Sequence, residues 1–411
     1  MTIFRKVSVQ TFWQLLGKVS ASLSTVFVLA TVSRNFGTSG IGELTLALVY
    51  LGVFYGLIDL GINAYILPEL VLGNHQIIWR KLLGLRLFLA FWLILLSLLI
   101  LPFIPGASFN FLSLVRIGVF SIIPLSILSA SSALFQSKLQ YKHNALAIII
   151  GSLITVSVVF VLSLTNSPIF TIILGYVLGN LVASLISLNF IFPQLKNILP
   201  IFDFEFIKKM AISAAPISAT LFFNTLYFRI DTFILKGYAS FAQVGIYNFA
   251  YQLFQTALVL PTFIMNGFYP IMIKQFAQNP AKFRKSFFNA LFIMLTLGAF
   301  TLLFSFILAP FIVKLLTGSE KFNESVKVLR ILSLGFPAFF VSSLTLWALV
   351  VLKKFSSLFL IYFVGFLINI LFNLNLIPQY SYYGASWVTT AGEYLILLPQ
   401  LLILYTHFKN K

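Results

Sequence analysis

Long apolar runs fill the chain from Thr11 to Tyr405, and short polar segments separate them. Each run is long enough for a helix that crosses the hydrocarbon core of a bilayer, which takes about 20 residues. The pattern predicts twelve transmembrane helices, at residues 10–33, 43–66, 82–102, 114–136, 145–165, 168–192, 210–235, 243–273, 287–313, 328–352, 357–377 and 385–406. We therefore expect an all-α polytopic membrane protein with no separate soluble domain.

The composition agrees with lipid as the solvent of this chain. Hydrophobic residues make up 60% of the sequence and charged residues 9%. There are no cysteines, so the chain has no disulfide, thiol nucleophile or cysteine-ligated metal. The three histidines, His75, His143 and His407, fall in predicted loops or the tail, and their spacing suits no metal site. We expect no metal and no cofactor beyond a possible coupling ion, H⁺ or Na⁺.

The net charge of +18 is explained by membrane orientation. With the N-terminus inside, the inner segments hold more than twice as many Lys and Arg residues as the outer segments. Cytoplasmic loops collect these residues in membrane proteins. An even number of helices then places both termini in the cytoplasm, and no nucleic-acid partner is needed. Arg5 and Lys6 precede the first apolar run, which we interpret as a transmembrane helix and not as a cleaved signal.

The two halves of the chain show a possible duplication. Gly42 opens the second predicted helix and Gly245 opens the eighth, and aligning them also brings proline and basic positions into register: Pro68 with Pro270, and Arg80-Lys81 with Arg284-Lys285. Such features also recur by chance among transporters. If the repeat is real, residues 1–200 and 201–411 form two six-helix bundles around a central cavity, related by an axis along the membrane normal. The segment 193–209 would join them on the inner surface.

Three stretches resemble the Wzx-type polysaccharide (O-antigen) flippases of the multidrug/oligosaccharidyl-lipid/polysaccharide exporter (MOP) superfamily. Residues 34–42 (RNFGTSGIG) resemble the family's turn between helices 1 and 2, and residues 59–63 (DLGIN) resemble its segment late in helix 2. The third stretch spans helices 7 and 8 and comprises Pro216, Arg229, Asp231, Gly245-Ile246-Tyr247 and Pro270. Glu43 departs from the family, which more often has an aromatic residue there.

The resemblance implies a transporter of lipopolysaccharide biosynthesis and no enzyme. It would move an undecaprenyl-diphosphate-linked oligosaccharide across the bacterial inner membrane by alternating access. A polysaccharide polymerase and a chain-length regulator would be its protein partners. Such a substrate carries negative charge and many hydroxyls, so its path requires cationic and polar groups within the helices.

Lys18 and Asp59 are predicted at similar depth in the adjacent, antiparallel helices 1 and 2. A pair between them would either line the cavity and switch to an anionic substrate, or only join the two helices. Charges inside a membrane face the protein interior in both cases. Lys18 is thus a candidate for substrate binding and Asp59 for ion coupling or charge pairing.

Arg229 and Asp231 lie in predicted helix 7, two residues apart, so they do not share a helix face. Glu393 in helix 12 lies at a comparable depth and could pair with Arg229. We take Arg229 as the best candidate for a phosphate or sugar contact. Asp231 and Glu393 are candidates for coupling to H⁺ or Na⁺, or for neutralising an arginine.

Other polar positions rank lower. Arg34, Arg86 and Arg116 lie near predicted helix ends, where arginines usually extend to the interface, although they remain candidates for substrate binding. Asn369 and Asn373 are four residues apart and share a face. Such a stripe can line a sugar path or simply bond neighbouring helices.

Two other functions remain open at this stage. A drug or small-solute exporter of the same superfamily would favour a more acidic cavity than Lys18 and Arg229 indicate. An integral-membrane enzyme, such as a polysaccharide polymerase, would need a large outer loop or an acidic, metal-binding loop, whereas the predicted outer loops are short. The sequence does not identify the sugar unit, the coupling ion or the oligomeric state.

Overall fold

The computed structural model describes residues 3–59, 61–165, 167–195 and 197–409, without the side chains of residues 3–11, 64, 215–217, 219–221, 224, 266 and 270. The side chains of Pro216 and Pro270 therefore lie outside the description. Regular structure in the described residues is helical throughout, with no strand. This confirms the predicted all-α class.

Sixteen α-helices follow one another along the described chain. They are α1 (Ile3–Asp59), α2 (Ile62–Leu72), α3 (His75–Ile100), α4 (Phe109–Gly118), α5 (Ile122–Ser137), α6 (Tyr141–Leu164), α7 (Ile173–Ile191), α8 (Phe204–Tyr227), α9 (Ile230–Tyr238), α10 (Phe241–Ala257), α11 (Val259–Gln278), α12 (Pro280–Thr317), α13 (Asn323–Ser333), α14 (Phe336–Val351), α15 (Phe355–Tyr380) and α16 (Tyr382–Lys409). Short 3₁₀ turns at 101–103, 119–121, 169–172, 192–194 and 320–322 join several of them.

Helix α1 contains two predicted spans, and Gly37 separates them. Gly37 has non-helical dihedrals, φ 66° and ψ −164°. Glycine reaches positive φ without the penalty that a Cβ imposes. The apolar part of α1, Phe12–Asp59, has 48 residues. A straight helix of that length would measure about 70 Å, more than twice the ~30 Å thickness of the hydrocarbon core.

Contacts show that the two halves of α1 run in opposite directions. The first half is parallel to α6. The second half is parallel to α4, and the span formed by α4 and α5 is parallel to α7. Because α6 and α7 are antiparallel, the two halves of α1 are antiparallel as well. The contacting pairs are Ser24–Ser152 and Phe27–Phe160, then Tyr50–Phe111 and Tyr55–Gly118, then Phe109–Phe170 and Lys138–Gln194, and finally Gly151–Gly179 and Val159–Gly175. Gly37 therefore reverses the chain between the first two spans.

The described helices account for the twelve predicted spans. Nine are individually long and apolar enough to cross a membrane, and the bent pair Glu320–Ser333 and Phe336–Val351 makes ten. The reversal at Gly37 divides the first of these into two. Helices α8 and α9, broken at Phe228 and Arg229, supply the remaining span, so the count agrees with the twelve-helix prediction.

The chain divides into two compact units. The first comprises Met1–Phe36 and Glu43–Thr225, and the second comprises Gly37–Gly42 and Leu226–Lys411. The short segment Gly37–Gly42 thus belongs to the second unit although the chain on both sides of it belongs to the first. The predicted bundle boundary between residues 200 and 201 stays a prediction.

In the first unit, the segment before α8 lies along the start of α3. Arg80 donates from Nε to the Leu199 carbonyl at 2.7 Å, and the Ile201 amide donates to the Arg80 carbonyl at 3.0 Å. Lys81 and Asp203 form an ion pair at 2.6 Å. The hydrogen bond from Lys81 lowers the pKa of the Asp203 carboxyl. These contacts fix the segment to the end of α3 that is predicted to be cytoplasmic.

In the second unit, Gly42 and Gly245 form a close helix crossing. A Cβ added at Gly42 would lie 1.8 Å from the Phe241 carbonyl oxygen, and one added at Gly245 would lie 2.0 Å from the Thr38 carbonyl oxygen. Each glycine thus packs on the carbonyl four residues before the other. The repeat alignment of the sequence pairs the same two glycines.

Candidate functional site

Arg86 forms the centre of a polar cluster in the first unit. It lies on α3 and is fully buried. Its guanidinium donates to the Ile58 carbonyl at 2.8 Å, to Asp59 Oδ1 at 2.9 Å and to Asn63 Oδ1 at 2.8 Å. One arginine therefore holds both sides of the break between α1 and α2.

This cluster exists because the helix is interrupted at the DLG segment. Helix α1 ends at Asp59, and Gly61, with φ 68°, precedes α2. The last carbonyls of a helix have no partner within the helix, and in a membrane they must be satisfied by other protein groups. The Ile58 carbonyl is such a group, and the fork of Arg86 reaches it together with the Asp59 carboxylate.

Two predictions about this region are wrong. Arg86 was expected near an interface, but it is buried because the helix break supplies acceptors inside the protein. The expected partner of Asp59 was Lys18, but Asp59 pairs with Arg86. Lys18 is exposed and makes no ion pair with a described residue. Matching depths alone did not identify the partner.

Three other positions singled out in the sequence lie in this part of the chain. Arg34 and Arg116 are exposed, and their role in substrate binding stays a prediction. Glu43, the departure from the family pattern, is buried and accepts hydrogen bonds from Ser108 Oγ at 2.6 Å and Asn110 Nδ2 at 3.2 Å. Ser108 caps α4, so Glu43 anchors the N-terminus of that helix, where a carboxylate is favourable.

Arg229 lies in the second unit, at the break between α8 and α9. Its Nη2 donates to Gln255 Oε1, and its guanidinium stacks 4.8 Å from the centre of the Tyr251 ring. The Tyr251 hydroxyl donates to the Phe228 carbonyl at 2.8 Å, which satisfies one of the carbonyls that the break leaves free. The side chain is only partly buried. Arg229 is thus held in place by a neutral amide and an aromatic face.

Asp231 lies in the first turn of α9 and is buried, with 2% exposure. It accepts hydrogen bonds from the Thr232 amide at 2.6 Å, from Thr389 Oγ1 at 3.2 Å and from the Tyr247 hydroxyl. Asn248 extends the cluster through Thr232 at 3.0 Å. Asp231 and Tyr247, both part of the family resemblance, are therefore in direct contact.

Glu393 is buried on α16 and accepts a hydrogen bond from Ser342 on α14. Its second oxygen, Oε2, has no hydrogen-bond partner among the described residues, and the same is true of the buried Tyr227 hydroxyl. The expected pair of Arg229 with Glu393 is wrong, because Arg229 bonds to Gln255 instead. The separation of these groups leaves a buried carboxylate whose hydrogen-bonding capacity is not filled.

Helix α16 connects Asp231 with Glu393, because it carries both Glu393 and the Thr389 side chain that contacts Asp231. Thr389, which contacts Asp231, is one turn before Glu393 and shares its face. Further polar groups lie on α15, where Asn373 donates to Asn369 Oδ1 at 2.8 Å, and both side chains are buried. The two asparagines of the predicted stripe therefore hydrogen-bond to each other and lie in the protein interior.

Several members of this cluster are not evident from the sequence. Tyr247 belongs to a motif, but the motif does not identify it as a hydrogen-bond donor to Asp231, and no pattern singles out Thr389 or Ser342. Hydroxyl residues in apolar helices give a weak signal, because they often bond their own backbone one turn earlier. The spacing of Thr389 from Glu393 was the available clue.

Chemically, the site combines one partly accessible cation with two buried carboxylates. Arg229 can bind an anion such as a phosphate, since its planar fork remains charged in proteins. Asp231 and Glu393, with their hydroxyl and amide neighbours, can exchange a proton or hold a small cation. Within the described residues, no cluster of three or more His, Cys, Asp or Glu residues suits a metal ion.

Solved transporter structures share this fold. The lipid II flippase MurJ in its inward closed conformation matches with a TM-score of 0.78 and 14% identity, over 97% of this chain and 87% of that one. A multidrug resistance MATE family transporter of the MOP superfamily, in an inward-facing conformation, matches with a TM-score of 0.74 and 15% identity, over 98% of this chain and 95% of that one.

A MOP superfamily transporter from Pyrococcus furiosus, whose binding pocket has reverse polarity, matches with a TM-score of 0.68 and 14% identity, over 98% of this chain and 95% of that one. At these identities the likeness is one of fold. No curated protein sequence matches the chain.

The fold is that of the MOP superfamily, whose members among these relatives are transporters and flippases. The model of the family described as "Polysaccharide biosynthesis protein" matches residues 8–276, which is more than half of the chain, and the MatE model matches residues 216–374. The chain belongs to the polysaccharide biosynthesis protein family. The predicted superfamily is thereby confirmed.

Proposed function

We propose that this protein is a Wzx-type flippase that moves an undecaprenyl-diphosphate-linked oligosaccharide across the bacterial inner membrane by alternating access. Family membership supports a role in polysaccharide biosynthesis. A lipid-linked substrate is also the cargo named for the lipid II flippase, whose fold this chain shares. The product would pass to a polysaccharide polymerase and a chain-length regulator, as the resemblance to O-antigen flippases implies.

The observation that carries the proposal is the environment of Arg229. Its hydrogen-bond acceptor is the neutral amide of Gln255, so this contact orients the guanidinium without cancelling its charge. The Tyr251 face holds the same group by a cation–π contact. A positioned, partly accessible cation at a break within a membrane span is suited to a diphosphate, because guanidinium and phosphate bond through paired contacts.

Asp231 and Glu393 are proposed to couple transport to H⁺ or Na⁺. Both are buried, Asp231 on α9 and Glu393 on α16, and the Glu393 Oε2 atom is available for a proton or cation. A carboxylate in a low-dielectric site is costly unless it is neutralised. Its occupation by a cation would therefore alter the stability of the conformation that encloses it.

A multidrug or small-solute exporter is the second candidate. Buried carboxylates at Asp231 and Glu393 suit a cationic drug, and the MatE model matches residues 216–374, which include Asp231. The two functions make opposite demands on Arg229. An anionic lipid-linked substrate needs its charge, whereas a cationic drug would be repelled by it.

Replacing Arg229 tests the choice. We expect Arg229→Ala to reduce surface glycan at least tenfold at normal protein level, in a host whose own copy of the gene is deleted. Arg229→Lys should keep part of the activity, because the charge remains while the planar fork is lost. Arg330→Ala is the matched control, since Arg330 also stacks on a ring, Phe306, at 5.1 Å in the same unit, and its hydrogen bond goes to the Phe306 carbonyl and not to the candidate site.

The same strains are tested for resistance to cationic drugs. Unchanged glycan export by Arg229→Ala would contradict the flippase proposal. Higher drug resistance in that variant, with glycan unaffected, would support the exporter.

A further inference from the structure

A groove lies between the start of α12 and the end of α16 in the second unit. Its volume is about 510 Å³. Apolar and aromatic side chains form its walls and two basic residues border it; the lining is Arg284, Phe287, Phe288, Leu291, Leu401, Leu404, Tyr405, Phe408 and Lys409. The groove begins about two helical turns after Glu393 along α16, but no residue of the candidate site lines it, and the proposed transport function makes no use of it.

The charges of the groove lie at one end. Arg284 is one turn before Phe287 and Phe288, while Lys409 directly follows Phe408, and both basic side chains are exposed. Neither forms an ion pair with a described residue, and no acidic residue is among those that line the groove. The N-terminus of α12 adds the positive end of a helix dipole at the same place.

The apolar part is an aromatic wall. Phe408 is buried and contacts the rings of Phe283, Phe287 and Phe288, with centroid distances of 5.8, 5.3 and 5.9 Å. Phe288 itself is 48% exposed and faces outward. The groove therefore presents a preformed apolar surface beneath a cationic rim.

A second groove in the same unit shows what is distinctive here. It lies between α15 and α16, has a volume of about 440 Å³, and has no charged residue among those that line it. Of these two grooves, the one between α12 and α16 alone combines an apolar wall with basic residues. Basic pockets between transmembrane helices on the cytoplasmic side bind anionic lipid headgroups.

We propose that the groove between α12 and α16 binds one anionic glycerophospholipid of the inner leaflet. The phosphate contacts Arg284 and Lys409, and an acyl chain lies along Phe287, Phe288 and Leu401. Charge complementarity supports this occupant, because two basic residues and no acidic residue line the groove.

Native mass spectrometry of the full-length protein in detergent tests the proposal. The probes are palmitoyl-oleoyl phosphatidylglycerol, the phosphatidylcholine with the same chains, and undecaprenyl phosphate. We expect one phosphatidylglycerol to bind at least tenfold more tightly than phosphatidylcholine. The double variant Arg284→Gln/Lys409→Gln should lose roughly thirtyfold in affinity for phosphatidylglycerol, since each basic residue near a lipid phosphate contributes a factor of about five.

Two further variants distinguish a groove from a merely basic surface. Leu401→Trp fills the groove and keeps both charges, and it should also reduce phosphatidylglycerol binding. Lys314→Gln/Lys321→Gln removes two cations at the opposite end of α12 and should have no effect. Unchanged binding by the Arg284/Lys409 variant, unchanged binding by Leu401→Trp, or tighter binding of undecaprenyl phosphate than of phosphatidylglycerol would each overturn the proposal.

Discussion

At the residue scale, a buried charge is defined by the acceptors that surround it. The sequence identifies Asp59, Arg86, Arg229, Asp231 and Glu393 because charges are rare within apolar runs. It does not identify their partners, because these depend on where helices break. Arg86 reaches Asp59 only because α1 ends there and leaves carbonyls that need donors. A run of apolar residues gives no sign of such an interruption.

The Arg86 cluster predicts an asymmetric response to mutation. Arg86→Ala should destabilise the first unit by about 2–4 kcal/mol, because it removes three hydrogen bonds and leaves the Ile58 carbonyl unpaired. Asp59→Asn should cost only about 1 kcal/mol, since the amide still accepts a hydrogen bond and the side chain is 44% exposed. Thermal unfolding of the detergent-purified protein, followed by loss of its monodisperse chromatographic peak, measures the order.

Lys18→Ala is the control for this series. Lys18 is exposed and has no ion pair with a described residue, so its removal should change stability by less than about 0.5 kcal/mol. A destabilisation equal to that of Arg86→Ala would restore the predicted pair of Lys18 with Asp59, and would contradict the pairing of Asp59 with Arg86.

At the element scale, short interruptions place the functional residues. Gly37 reverses the chain, Gly61 separates α1 from α2, and Arg229 separates α8 from α9. Apolar length predicts the spans well, because each must cross the same thickness of hydrocarbon. It predicts 43–66 and 210–235 as continuous helices, however, since one or two non-helical residues do not alter the mean hydropathy of a window.

The glycine crossing predicts equal effects at two distant positions. Gly42→Ala and Gly245→Ala should each destabilise the second unit by about 1–3 kcal/mol, because the new Cβ would lie within 2.0 Å of a backbone carbonyl oxygen in either case. The double variant should cost less than the sum, since the first change already separates the two helices. Thermal unfolding of the four proteins completes the cycle.

Gly267→Ala is the matched control, because a Cβ at Gly267 on α11 meets nothing within 4 Å. It should be neutral or stabilising by up to about 1 kcal/mol, the usual gain when alanine replaces glycine within a helix. Strictly additive effects of the Gly42 and Gly245 variants would show that the two positions do not share one contact.

At the scale of the whole molecule, the membrane orientation follows from two features together: the distribution of Lys and Arg residues and the even number of spans. The structure shows that successive spans of the first unit alternate in direction, and the basic residues indicate which ends are cytoplasmic. Both arguments depend on twelve spans. The span formed by α8 and α9 is the one to test, because the chain is broken within it at Phe228 and Arg229.

Cysteine accessibility tests the topology, and the chain contains no cysteine to remove first. Single substitutions at exposed loop positions, Thr165→Cys, Asn197→Cys, Glu320→Cys and Lys354→Cys, sample both ends of the spans. With twelve spans and cytoplasmic termini, a membrane-impermeant maleimide should label positions 165 and 320 in cells with a permeable outer envelope. Positions 197 and 354 should react only after the inner membrane is opened. If α8 and α9 do not cross the membrane together, positions 197 and 320 will lie on the same side, and the twelve-helix topology is wrong. If all four positions show the reverse pattern, the helix count stands but the orientation derived from the basic residues is inverted.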